Sequence, residues 1–274
     1  MIEHVYRRAS EAQTISRVIV ATDDERIADA VRAFGGDVRM TAAHHRSGTD
    51  RLAEVVQSLD CRLVVNVQGD EPLIEPAMID EAVSPFAAES ALEMSTLRRR
   101  IDDPEDFRNA NVTKVVVDRD GYALYFSRAP IPHTRADSPT APAWRHVGLY
   151  VYTRECLLRL ASLPPTVLEQ SEALEQLRAL EYGIRIQVIE TQHDSIGVDT
   201  PDDLERARRL VGDHARRDGH AGLEQESSAD VLSAAPAAGA RRDQPPPGYG
   251  GPPKLSAKAE VAERPRAGVG PREH

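Results

Sequence analysis

Cysteine is nearly absent from this 274-residue chain: Cys61 and Cys156 are the only two, and they lack the paired spacing of a zinc or redox site. So little cysteine points to a reducing compartment, and a cytoplasmic location is expected. No run approaches the roughly 20 apolar residues of a membrane span. Residues 1–10 are broken up by Glu3, His4, Arg7 and Arg8, unlike the apolar core of a secretory leader. Internal repeats are missing as well. Basic charge is in short supply: 34 Lys and Arg stand against 44 Asp and Glu, a net −10. An acidic domain argues against nucleic-acid or membrane partners.

What is present is unevenly distributed. Residues 213–274 hold 8 of the 19 prolines and no apolar period. They carry nine acids and nine bases, so the whole net charge falls on residues 1–212, with 35 acids and 25 bases. A stretch of this composition cannot bury enough apolar surface to offset its chain entropy, and disorder is expected from 213 to 274. The remaining 212 residues suffice for one α/β core.

That core is organised around residues 63–73, L-V-V-N-V-Q-G-D-E-P-L. The Val-rich run reads as a strand buried on both faces of a parallel sheet. It stops at Gly69, and Pro72 disfavours helix at Glu71, so Asp70 and Glu71 lie in an extended turn just beyond the strand. Ligands of open α/β sheets bind at such carboxyl ends. An acidic pair there suits a hard cation, although a solvated turn explains it equally well.

Around this centre the pattern alternates. Residues 2–9 have helical spacing, and 17–21 form a buried strand. Thr22-Asp23-Asp24-Glu25 then opens a helix over 26–34, and 38–40 is a short strand. The sequence His44-His45-Arg46-Ser47-Gly48-Thr49-Asp50-Arg51 leads into a helix over 50–58. Ser47 or Thr49 can simply cap it, or its free N–H groups can hold an anion or a ring edge. Two adjacent histidines without a third ligand are weak evidence for zinc. Further expectations are a helix over 76–88, strands at 94–100 and 112–118, and a turn at Asp120-Gly121 into a strand over 122–126. Residues 133–143 read as a loop. Along 145–152, Val147, Leu149 and Val151 face one side, and His146, Gly148, Tyr150 and Tyr152 the other. A helix over 166–182, a strand over 184–190 and a last helix opened by Thr200 and Pro201 complete the pattern.

Six segments, N-V-Q-G-D-E-P, S-G-T-D-R, Y-A-L-Y-F-S-R-A-P-I-P, R-H-V-G-L-Y-V-Y, L-E-Q-L-R and G-V-D-T-P-D-D-L, resemble in order the 3-deoxy-manno-octulosonate (Kdo) cytidylyltransferases of lipopolysaccharide assembly. The resemblance runs from Met1 to about Leu210. It implies a Rossmann-like α/β nucleotidyltransferase fold, with a mixed, mostly parallel sheet and a small β-rich insertion on the sugar side that serves dimerisation. It also implies CTP and Kdo as substrates, CMP-Kdo and diphosphate as products, Mg²⁺ as cofactor and a homodimer as assembly. By the same resemblance Asp70 and Asp199 hold the metal. Thr22, Asp23, Ser47, Gly48, Thr49, Arg51 and Gln68 line the cytidine side. Arg128, His146, Tyr150, Glu175 and Gln176 lie on the Kdo side, with Arg128 suited to the carboxylate.

One departure stands out. The family opens with a strand and a basic loop of pattern A-R-x-x-S-x-R-x-P-G-K, whereas this sequence starts on the following helix, M-I-x-H-V. Without that strand, backbone groups at the sheet centre are expected to lack partners. Two other readings therefore remain beside the enzyme: a truncated inactive product and a nucleotide- or partner-binding pseudoenzyme. Within the class, the CMP-sialate synthetases are the alternative.

Overall fold

In the computed structural model, residues 1–45, 47–136, 141–195, 197–198, 200 and 202–210 are described, together with the backbone of 258–262. In chain order the elements are α1 (Ile2–Glu11), β1 (Arg17–Thr22), α2 (Glu25–Ala33), β2 (Val38–Met40), α3 (Gly48–Val56), β3 (Leu63–Gln68), α4 (Pro76–Val83), β4 (Met94–Arg100), α5 (Pro104–Arg108), β5 (Lys114–Val117), β6 (Ala123–Ser127), β7 (Trp144–Thr153), α6 (Arg154–Ser162), α7 (Val167–Glu172), α8 (Gln176–Glu181), β8 (Ile186–Glu190) and, after a helix at 202–210, β9 (Lys258–Ala262). A 3₁₀ turn, Ser84–Ala87, extends α4.

The strand order is β2-β1-β9-β3-β7-β4-β8, with the β5–β6 hairpin hung on the start of β7. Five of these seven strands (β2, β1, β3, β4 and β8) run the same way, and β9 and β7 oppose them. The expected mixed, mostly parallel sheet is therefore found.

Local chemistry sets the element boundaries. Asp24 accepts the Arg26 N–H at α2, Ser47 accepts the Asp50 N–H at α3, and Pro76 occupies the first turn of α4. Strand alternation builds a core on each face of the sheet. Val65, Val67, Val147, Leu149 and Val151 pack with Val5, Ala9, Met78 and Ile79 of α1 and α4. Val64, Tyr152 and Phe126 pack on the other face with Leu52 and Val56 of α3 and Cys156, Leu157 and Leu160 of α6. Gly121, at φ 84°, turns the hairpin, and Asp118 Oδ1 accepts the N–H groups of Asp120 and Tyr122 across it.

Three expectations need correction. The helix anticipated over 166–182 is two short helices, α7 and α8, because Ala173 adopts a left-handed conformation (φ 51°, ψ 48°) and the Leu174 N–H returns to Glu169 O at 3.1 Å. Helix α6 was not anticipated at all; Thr153 caps it by accepting the Cys156 N–H.

The third correction concerns the end of the chain. Most of 213–274, where disorder was expected, lies outside the described residues, but 258–262 is a strand. It pairs antiparallel with β1 (Val18 opposite Val261) and with β3 (Val65 opposite Val261), so the sheet centre expected to lack partners is paired on both sides. Five residues suffice, since each strand edge offers a row of N–H and C=O groups whose burial without partners is costly. Val261→Pro removes one ladder donor between two strands. It is expected to lower stability by about 1–3 kcal/mol, read as a lower melting temperature; an unchanged melting curve would show that β9 does not hold the sheet.

Candidate active site

The carboxyl ends of β1, β3 and β4 open on one side of the sheet, where α/β folds bind ligands. On β3, Asn66 and Gln68 share the face of Val64, while Val65 and Val67 turn to the opposite core. On β7, His146, Gly148, Tyr150 and Tyr152 face the same side as Asn66, as their alternation predicts. The register sets Asn66 beside Tyr150.

A cavity of about 390 Å³ lies over this face. Thr49 of α3, Asn66 and Gln68 of β3, and Gly148, Tyr150 and Tyr152 of β7 line it, with Arg128 just past β6 and Glu175 and Gln176 from the break between α7 and α8. The structure thus gathers six of the expected residues: Thr49, Gln68, Arg128, Tyr150, Glu175 and Gln176. Sequence reasoning missed Asn66, Gly148 and Tyr152 as lining residues. For Asn66 a signal existed, namely one amide inside an otherwise apolar strand.

Three lining atoms are buried without a hydrogen-bond partner: Asn66 Oδ1, Glu175 Oε1 and Gln176 Nε2. A buried polar atom left without a partner costs about 1–3 kcal/mol, so these three atoms are open to a polar ligand or to water. Gly148 has nothing within 4 Å of where a Cβ would stand. Its missing side chain leaves room rather than relieving backbone strain.

The break at Ala173 is what turns Glu175 and Gln176 inward. Behind it, Arg178 is buried and donates to Glu169 through Nε at 2.8 Å. Burial pushes the Glu169 carboxyl up, but Arg178 and the Thr166 N–H outweigh it and hold it below the usual range. Burial also raises both tyrosine hydroxyls, with the Glu175 carboxylate adding to the effect, so both are neutral donors at neutral pH.

His146 does not line the cavity but stands behind Tyr150, with ring centroids 5.3 Å apart and its edge on Phe126 at 5.0 Å. The Thr96 hydroxyl lies 2.8 Å from Leu149 O and 3.0 Å from His146 Nε2. With the hydroxyl donating to the carbonyl, the imidazole donates from Nε2 and is neutral. Burial pushes its pKa down to about 3.

The residues expected on the cytidine side divide. Ser47 caps α3, whose first residue is Gly48. Arg51 is buried and tied at both ends, by the Thr41 hydroxyl and by Asp23 at 3.1 Å. The fully buried Thr22 hydroxyl accepts the Asp24 N–H at 3.1 Å. Together these contacts lock the end of β1 to the start of α3 and leave Thr49 on the cavity wall. A more open hollow of about 720 Å³ beyond α3 is lined by His44, His45 and Glu54, where His45 Nε2 meets the Glu54 carboxylate.

Asp70 follows β3 by two residues. Its carbonyl accepts the Val198 N–H at 2.9 Å, and the neighbouring Glu71 carboxylate accepts the Ser195 hydroxyl at 2.7 Å. Asp194 pairs with both Arg99 and Arg145. Asp194, Ser195 and Val198 are thus stitched to the ends of β3, β4 and β7. Asp199 lies outside the described residues. Among the described residues, no group of three or more His, Cys, Asp or Glu side chains gathers to hold a metal, and no helix is long and apolar enough to cross a membrane.

Such a sheet, with a polar cavity past its central strand, is that of the nucleotidyltransferases. A 4-diphosphocytidyl-2C-methyl-D-erythritol synthase from Anaerococcus prevotii shares the fold, with a TM-score of 0.51 at 13% identity over 77% of this chain and 88% of that one. A CMP:2-keto-3-deoxy-manno-octonic acid synthetase solved with CTP is far more similar: TM-score 0.74 and 41% identity over 78% of this chain and 88% of its own. Residues 1–186 match the cytidylyltransferase family. The 3-deoxy-manno-octulosonate cytidylyltransferase of Geobacter sulfurreducens is 56% identical over 216 residues, 75% of this chain and 86% of the relative. That of Solibacter usitatus is 55% identical over 210 residues, 77% of this chain and 83% of the relative. The chain belongs to the 3-deoxy-manno-octulosonate cytidylyltransferase family.

His146 makes stability depend on pH. Unfolded, it takes up a proton below its ordinary value of 6.5, whereas folded it stays neutral down to about 3. Its contribution is therefore complete above pH 6.5 and lost as pH falls through that window, by at most about 1.4 kcal/mol per pH unit. His146→Phe is expected to flatten melting temperature against pH between 6.5 and 4; parallel curves would contradict this.

Proposed function

We propose that this protein joins CTP to Kdo, giving CMP-Kdo and diphosphate. The observation that carries the reading is the cavity in which Arg128 and three polar atoms without hydrogen-bond partners gather, with Gln68, two positions before Asp70, on its wall. An acidic, hydroxyl-rich sugar matches that lining. Arg128 takes the carboxylate, and Asn66, Glu175 and Gln176 meet hydroxyls.

The reaction displaces diphosphate from the α-phosphorus by the sugar's anomeric hydroxyl, so the protein mainly positions two anions. Tyr150 and Tyr152 remain protonated and donate. The neutral His146 orders Tyr150 from behind and adds no charge. Thr49 bridges the two sides, standing on the first turn of the helix capped by Ser47, toward which the nucleotide lies.

The donor chemistry at Asp70 fits a hard cation, which takes carboxylate oxygens and completes its shell from substrate phosphate. Asp70 and Asp199 would hold Mg²⁺. When bound, the ion screens charge between the two substrates and lowers the pKa of the attacking hydroxyl. A homodimer formed through the β5–β6 side, a cytoplasmic location and a place in lipopolysaccharide assembly belong to the same reading.

Diphosphate release with CTP, Mg²⁺ and Kdo tests this. Turnover with N-acetylneuraminate and none with Kdo would transfer the protein to the sialate branch. Asp70→Asn is expected to lose at least roughly tenfold in rate, because a charged ligand between two anions becomes neutral; a rate above a tenth of the wild type at saturating Mg²⁺ would remove Asp70 from the metal site. Gly148→Leu places a side chain in the open space of the cavity. It is expected to keep its melting temperature within a few degrees and to abolish CMP-Kdo formation; full activity would move the sugar elsewhere.

A further inference from the structure

Lys114 begins β5 and is completely buried. It sits where three strands meet, opposite Ser127 of β6 and Arg145 of β7. Its ammonium has three N–H donors, and three backbone carbonyls receive them: Asn109 O at 2.9 Å, Val112 O at 2.6 Å and Arg128 O at 2.6 Å. Among the described residues, no ion pair fixes it. Burial pushes its pKa down, with the Arg128 charge adding to that effect and the Glu172 carboxylate opposing it.

The three carbonyls belong to two segments that both hold Arg128. One is Arg128 itself. The other is the 109–112 loop, whose Ala110 O accepts from Arg128 Nη1 at 3.1 Å. A second clamp comes from α7: Glu172 Oε2 accepts the Arg128 N–H at 2.9 Å, and Glu172 O accepts from Arg128 Nε at 2.7 Å. Ala173 O lies 3.4 Å from Nη2, and the Ser127 hydroxyl secures the Glu172 carboxylate at 2.6 Å. A guanidinium has five N–H donors in a rigid fork. Three carbonyl contacts leave two, enough for a bidentate grip on one carboxylate.

We propose that Lys114 is a positioning residue for the acidic sugar, acting through Arg128: its ammonium fixes both the backbone of that arginine and the loop that holds the guanidinium. A site tolerates little looseness, since a displaced fork makes one hydrogen bond instead of two. The inference rests on the reading of the cavity as the Kdo site.

Lys114→Met keeps the apolar stem and removes all three donors. The expected result is a KM for Kdo raised about tenfold or more, with the KM for CTP unchanged within about twofold. Because Lys114 acts through Arg128, the double variant Lys114→Met with Arg128→Gln should be no worse for Kdo than Arg128→Gln alone. Lys114→Gln, which keeps two donors, should fall between wild type and Met, and it is the variant read if Lys114→Met does not fold.

An unchanged KM for Kdo, equal loss for both substrates, or multiplying effects in the double variant would overturn the proposal. So would failure of both Lys114 variants to fold, which would assign the residue to stability alone. Absence of Kdo-dependent diphosphate release in the wild type is a different result, and it strikes the reading of the site itself.

Discussion

The pairing of β3 with β7 governs the rest of the site. Their register sets Asn66 beside Tyr150 and Val64 beside Tyr152. A slip of β3 by one residue would send Asn66 and Gln68 into the opposite core and bring Val65 to the cavity, and the same slip of β7 would remove both tyrosines and bring in Leu149. The two apolar cores forbid that shift, because each is built from every second residue of these strands. Packing on the far side of the sheet thus fixes the chemistry on the near side. The irregularity opposite Thr96 preserves this alternation while Thr96 covers the carbonyls that it frees.

An acidic protein that handles anionic substrates has to concentrate its positive charge. Arg128 and Lys114 do so by opposite means. The lysine spends all its donors on backbone carbonyls, whereas the arginine keeps two. The net charge of −10 works against anion binding at long range, which leaves affinity to short-range contacts inside a partly desolvated cavity. Neutral tyrosines and a neutral histidine suit the same task, since they offer hydrogen bonds without adding charge.

Much of this was legible in the sequence because the relevant signals are local. The Val-rich run ending in Gly69-Asp70, the cap at Ser47 and the two-residue period of 145–152 each depend on neighbours a few residues apart. The break at Ala173 was not legible: no glycine or proline marks it, and an alanine takes the left-handed conformation because surrounding contacts impose it. Helix α6 was missed between a strand and a proline-bearing segment. Lys114 looked like an ordinary residue at a strand start, and only its three carbonyl partners, up to 14 positions away, reveal its burial. For β9, composition argued for disorder, and composition carries no record of an edge elsewhere in the chain that will accept a strand.

That last strand has a consequence for how the protein is made. Its partners on β1 end at Ala21, while β9 begins at Lys258, so the slot between β1 and β3 closes only after the chain has been made through β9. Contacts over such separations form slowly. During synthesis, two central strands wait with open edges, able to pair with any other chain that offers a strand. Until β9 has emerged, the nascent protein is thus a half-built sheet in need of a chaperone or of haste.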